Sequence, residues 1–185
     1  MKKMERIQIN NGVVFSPFYV FIKGVDKLTD IEILDFFGIQ NAQIVTNGNT
    51  KNKTTSIFIT DDSNWIHIMD FWDYCLYHNE NENKRIIKLA EKFDIYTCAV
   101  GDSDHSFDFR YFKNGQLLRE YIVEDPEYKG GQLTKDYGTK LMNEDNALLL
   151  EDELEKVLEI AKGIGIKFAH TKEKIRHYQY VNELI

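Results

Sequence analysis

Apolar and polar positions alternate with the strand period near the start of the chain, where Ile7 and Ile9 face one way and Arg6 and Gln8 the other. Asn11-Gly12 follows, a pair suited to a hairpin turn. Val13-Val14-Phe15 and Phe18-Tyr19-Val20-Phe21-Ile22 resume strand composition, and Pro17 between them marks an edge or a bulge. Gly24 ends the run. Thr29 then opens a helix, with Glu32 at the capping-box position, an apolar face from Ile33, Leu34 and Phe37, and Gly38 as its stop. Residues 42–45 form a short strand candidate, and the polar stretch 47–54 reads as an exposed loop.

The strongest strand signals lie between residues 55 and 125. Residues 56–60 and 65–69 flank the turn-forming Asp61-Asp62-Ser63-Asn64, which predicts a tight antiparallel pair. Residues 71–77 suit a short aromatic helix and 79–83 a polar hinge. Ile86, Ile87, Ala90 and Phe93 then predict a helix over 84–93. Residues 95–100 are a continuous apolar strand. In 106–112, Phe107, Phe109 and Tyr111 alternate with Asp108 and Arg110. Lys113-Asn114-Gly115-Gln116 is the clearest hairpin turn, returning through 117–123, where Leu118 and Ile122 are apolar, to Pro126.

The C-terminal third is less regular. Residues 127–146, punctuated by Gly130-Gly131 and Gly138, carry no firm period and receive no element. Leu150, Leu154, Val157, Leu158 and Ala161 define the best amphipathic helix, with Gly163 as its expected C-cap. Glu151-Asp152-Glu153 suits the positive end of that helix dipole. Residues 175–181 read as a last strand, with a short helix as the competing choice. Hairpins outnumber strand–helix–strand units, and no linker or fixed-period repeat divides the chain. The expectation is one α+β domain over 1–185, with a mainly antiparallel sheet and helices packed on one face.

A chain of 185 residues with 43% hydrophobic and 13% aromatic content can bury a sizeable core. A net charge of -7 repels phosphate backbones, so nucleic acid is not an expected ligand; the charge serves solubility, and it also suits a basic protein partner. No run approaches the length of a membrane span, and no apolar leader follows the basic first residues. Cys75 and Cys98 are far apart and show no metal-type spacing. A cytoplasmic location with both thiols reduced is expected.

Asp102-Ser103-Asp104-His105 is the one carboxylate-rich turn between two apolar runs. Two carboxylates and an imidazole could orient a divalent ion for metal-assisted hydrolysis, with Glu120 or Glu124 as a further ligand. The calcium-loop template fails, because Phe107 stands at the glycine position and Lys113 at the final glutamate position. The structural reading is a turn capped by its own Asp and Ser side chains. Among the histidines, His67 lies between Ile66 and Ile68 and is expected on the solvent face of its strand, and none of His67, His78, His105, His170 and His177 forms a metalloprotease pair. Phosphate-loop and nucleophile-elbow patterns are absent. Gly163-Ile164-Gly165 begins a dinucleotide fingerprint, but Phe168 replaces its last glycine and the context is reversed. No catalytic residue, metal or cofactor is assigned.

The aromatic group Trp65, Phe71, Trp72, Tyr74 and Tyr77 suits a core anchor. Exposed beside Asp70 and Asp73, Trp65 and Trp72 would instead form a protein-binding patch, as the Asp102-Asp104-His105 turn also could.

Trp65 in a strand after an Asp-Asp turn, Gly101-Asp102-Ser103-Asp104, and the hairpin 109–119 around Asn114-Gly115 together cover about a third of the chain. In these features it resembles small acidic bacterial proteins of the toxin-immunity kind. The resemblance implies an α+β immunity protein that masks a toxin with acidic residues, and it assigns no individual site residue.

Overall fold

The computed structural model describes residues 8–9, 12–13, 18–24, 28–45, 55–60, 64–71, 80–101, 104–167 and 176–180. In chain order these form β1 (Gln8–Ile9), β2 (Gly12–Val13), β3 (Phe18–Lys23), α1 (Asp30–Phe36), β4 (Gln43–Ile44), β5 (Thr55–Thr60), β6 (Trp65–Phe71) and α2 (Glu80–Ala90). Then follow β7 (Asp94–Val100), β8 (Phe107–Lys113), β9 (Gln116–Glu124), β10 (Gln132–Gly138), α3 (Glu144–Ala147), α4 (Glu153–Gly163) and β11 (Arg176–Tyr180). β1 and β2 pair as a small ribbon, so Gly12 belongs to a strand rather than to the expected turn. The other nine strands form one sheet in the order β10-β9-β8-β7-β3-β6-β5-β11-β4. Every recorded pairing in it is antiparallel. The expected α+β arrangement with a mainly antiparallel sheet is what the chain adopts.

Local chemistry explains most of these elements. Thr29 and Glu32 form a reciprocal capping box, in which the Thr29 N–H donates to Glu32 Oε2 at 2.7 Å. Asn114 and Gly115 both take positive φ, 52° and 72°, as a two-residue turn matched to strand twist requires. Lys113 therefore pairs directly with Gln116. The strand expected at 175–181 is found as β11, inserted between β5 and β4.

The helices do not share one face. On one side, Phe18, Val20 and Ile22 of β3 and Ile95 and Ala99 of β7 pack with α1 (Ile33, Leu34) and α2 (Ile86, Leu89, Ala90). On the other, Phe21, Tyr96, Cys98, Val100, Phe107 and Phe109 pack with Ala147 of α3 and Val157, Leu158, Ile160 and Ala161 of α4. The reason lies in β7, where six consecutive residues after Asp94 are buried. A central strand that is apolar on both faces needs cover on both. The same arrangement buries His67, edge-on to Phe21 with centroids 4.7 Å apart, on a face expected to meet solvent.

Three further boundaries differ from expectation. α2 begins at Glu80, so residues 80–83 of the expected hinge are its first turn. α4 runs through Gly163 and is capped at Ile164. Gly163 is needed for contact rather than for conformation, since a Cβ there would lie 2.1 Å from the Met142 carbonyl oxygen. Within 127–146, β10 and α3 form where no element was assigned. The expectations for 14–17, 46–54, 61–63 and 72–79 lie outside the described residues.

Candidate functional site

The turn between β7 and β8 meets the β9–β10 loop and the start of α4. Gly101 N–H donates to the Ser106 carbonyl at 2.7 Å, closing the turn. Asp104 Oδ1 accepts the Ser106 N–H at 2.8 Å and also the Ser106 hydroxyl. This is the local capping that Asp and Ser supply to turns. His105 donates its backbone N–H to Asp125 Oδ2 at 3.2 Å, and its ring Nδ1 lies 3.0 Å from Glu153 Oε1. Lys156 stands 3.5 Å from the same Glu153 oxygen and 5.1 Å from the centre of the Phe107 ring.

The electrostatics follow from these bonds. The hydrogen bond to Glu153, and then its charge, raise the His105 imidazole above its ordinary range; slight burial and Lys156 oppose them. Burial pushes the Glu153 carboxyl up, but His105, the helix backbone and Lys156 together bring it below the usual value. Asp125 is buried and would rise on that account. It is instead lowered by backbone N–H donors, among them Lys129 at 2.6 Å, His105 at 3.2 Å and Gly130 at 3.3 Å. Asp125 thereby folds residues 126–131 around itself.

The residues singled out in the sequence are not brought together. Asp102, Trp72 and Asp73 lie outside the described residues, as does the side chain of Asp70, whose backbone pairs with Ile57. Asp104 faces its own turn and His105 faces Glu153. Glu120 is held by Arg110 at 2.9 Å and Lys135 at 3.2 Å, and Glu124 sits opposite Gln132. Among the described residues, no group of three His, Cys, Asp or Glu side chains could hold a metal ion. Trp65 is 2% exposed, with the Lys23 ammonium 5.6 Å from its ring centre, so it anchors the core and presents no surface. Cys98 is buried and its thiol is pushed up by burial, with Asp108 adding to the effect.

Two features went unread in the sequence. The first is Arg119 on β9, whose side chain is fully buried. Its Nη2 donates to Glu144 Oε1 at 2.5 Å, and its Nε lies 3.1 and 3.0 Å from the two Glu144 oxygens. Its Nη1 donates to Asp136 Oδ1 at 2.5 Å and to the Tyr137 carbonyl at 2.8 Å. The guanidinium lies 5.8 Å from the Phe109 ring centre and 5.3 Å from that of Tyr121. Burial alone would lower the Arg119 pKa, but the bonds to Glu144 and Asp136 raise it. One side chain thus ties β10 and α3 to the sheet. A signal existed: Arg119 shares strand parity with Tyr121 and Val123, so it had to point into an apolar layer.

The second feature is where the charge lies. Residues 124–153 hold nine Asp or Glu and three Lys, a net -6 of the chain's -7. Each of those lysines is already paired, Lys129 with Glu127, Lys135 with Glu120 and Lys140 with Asp145. Glu124, Glu127, Asp136, Asp145 and Glu151 are exposed. Met142 and Leu149, which flank α3, are 75% and 82% exposed beside them.

No described helix is long and apolar enough to cross a membrane. Comparison of the chain with protein-family models, with curated proteins and with solved structures finds no match.

Proposed function

We propose that this chain is a non-catalytic, acidic binding protein whose partner is a basic protein, and that masking a bacterial toxin in the manner of an immunity protein is its role. The observation that supports this reading is the concentration of the net charge on one segment, 124–153, which Arg119 ties to the sheet through Asp136 and Glu144. A negative field gathered on one end steers a positively charged partner and orients its approach. Exposed Met142 and Leu149 within that field offer apolar contact of the kind that interface centres use. A cytoplasmic location with reduced thiols belongs to the same proposal.

The test is capture of partners from a lysate of the source organism, at low and at high salt. The expected result is one basic protein retained at low salt and released at high salt, since screening shortens the reach of surface charge. A variant with Glu124, Glu127, Asp145 and Glu151 changed to Gln should capture far less. Capture that ignores both salt and these substitutions, or that yields no basic protein, refutes the reading.

A further inference from the structure

We infer that the outer edge of β10 is the docking line, and that the partner contributes an extended basic segment that adds to the sheet as a tenth strand. The inference rests on the proposed acidic binding role and specifies its mode. β10 ends the sheet order, and its second edge meets no strand among the described residues. All seven of its residues are exposed. A strand this exposed gains little from apolar burial, so its order comes from elsewhere. Arg119 holds it at Asp136 and Tyr137, and Asp125 organises the loop that leads into it. Gly138 closes against β9 so tightly that a Cβ would lie 1.9 Å from the Leu118 carbonyl oxygen. The result is a preformed row of backbone donors and acceptors, the template that strand addition uses.

Charge selects the occupant. Each of the three lysines in 124–153 is paired with a carboxylate, and exposed Glu124 lies opposite Gln132 at the start of the strand, so the segment's net charge of -6 is what a docking strand meets. Arg119 joins Asp136 of β10 to Glu144 of α3, so α3 with Asp145 abuts the end of the strand. A second copy of this chain would bring the same surplus of negative charge. A basic strand is attracted by the same net charge that repels a second copy.

The probe is a synthetic nine-residue peptide of alternating Lys and Val, titrated at low salt. Its comparators are a fully backbone-N-methylated analogue, which keeps the charge but has no N–H groups, and a Glu/Val analogue. The Lys/Val peptide is expected to bind, to slow hydrogen exchange within 132–138, and to bind at least ten-fold tighter than either comparator. Equal binding of the methylated peptide without protection of 132–138 overturns strand addition while leaving the acidic-partner reading intact. Binding of the Glu/Val peptide as tightly overturns the charge argument. Failure of the Lys/Val peptide to bind, or protection confined to another strand, overturns the inference even when lysate capture returns a basic partner. Loss of that basic partner is what overturns the underlying reading.

Discussion

Arg119 and Glu144 meet with neither side chain exposed to solvent, the Arg119 Nη2 donating to Glu144 Oε1 at 2.5 Å. Glu144 Oε2 also accepts the Leu141 N–H at 2.8 Å, so the same carboxylate fixes the chain entering α3. Removing one partner of a buried pair strands the other charge, at a cost of about 3–5 kcal/mol. Glu144→Ala and Arg119→Ala are each expected to destabilise by that amount in urea unfolding. Replacing both by Met should cost less than either single change, because no charge is then left buried. Equal losses in all three variants would show that packing, rather than the ion pair, dominates.

Gly138 carries a second constraint on the same strand. Its φ of +89° disfavours a side chain, and the Leu118 carbonyl occupies the place of a Cβ. Gly138→Ala should therefore destabilise by more than the roughly 1 kcal/mol of an ordinary glycine effect, and hydrogen exchange should accelerate first in 132–138. Unchanged exchange in that strand would mean that β9 and β10 separate there at little cost.

These two sites show what was legible in the sequence. The hairpin at Asn114-Gly115 and the capped helix at Thr29 were readable because turn and cap chemistry is local. β10 was not, because Gln132-Leu133-Thr134-Lys135-Asp136-Tyr137-Gly138 is exposed throughout and has no buried face to impose a period. Its order comes from Arg119, on another strand. The placement of helices on both faces was legible in principle, since 95–100 is apolar without alternation, a pattern that asks for cover on two sides. The candidate site fared less well. The Asp102-Ser103-Asp104-His105 turn was visible by composition, but the partner of His105 is Glu153, 48 residues away. Trp65 is core, because the strand that carries it lies inside the sheet between β3 and β5.

Asp125 should behave as a structural carboxylate. Its folded-state pKa is lowered, burial being outweighed by the N–H groups of Lys129, His105 and Gly130. Its contribution to stability is therefore present above the unfolded value of about 3.9 and is lost as pH falls through the depressed folded value. Asp125→Asn should remove that acid-side dependence and speed exchange of the Lys129 and Gly130 amides. A variant whose stability falls with acid as steeply as the wild type would show that other carboxylates govern it.

The last prediction concerns the contact between the β7–β8 turn and α4. His105 is the exposed member of the pair and Glu153 the more covered one, with Asp125 and Lys156 as the other charges facing it. The His105 pKa is raised, chiefly by its hydrogen bond to Glu153. The stability it contributes is fully present below the unfolded histidine value of about 6.5, and it is lost as pH rises through the elevated folded value. The Glu153 pKa is lowered despite its burial, so its share is present above the unfolded carboxylate value and is lost as pH falls through the depressed one. The pair is thus intact across mildly acidic pH and opens on the alkaline side, where the imidazole no longer carries a charge for Glu153 to hold. An NMR titration of the His105 ring is expected to give a pKa above 6.5 in the wild type and a lower one in Glu153→Gln, while the other described histidines are unaffected. In the same titration, exchange at the start of α4 should quicken as His105 deprotonates. A His105 pKa unmoved by Glu153→Gln would show that the two side chains do not hold each other in solution.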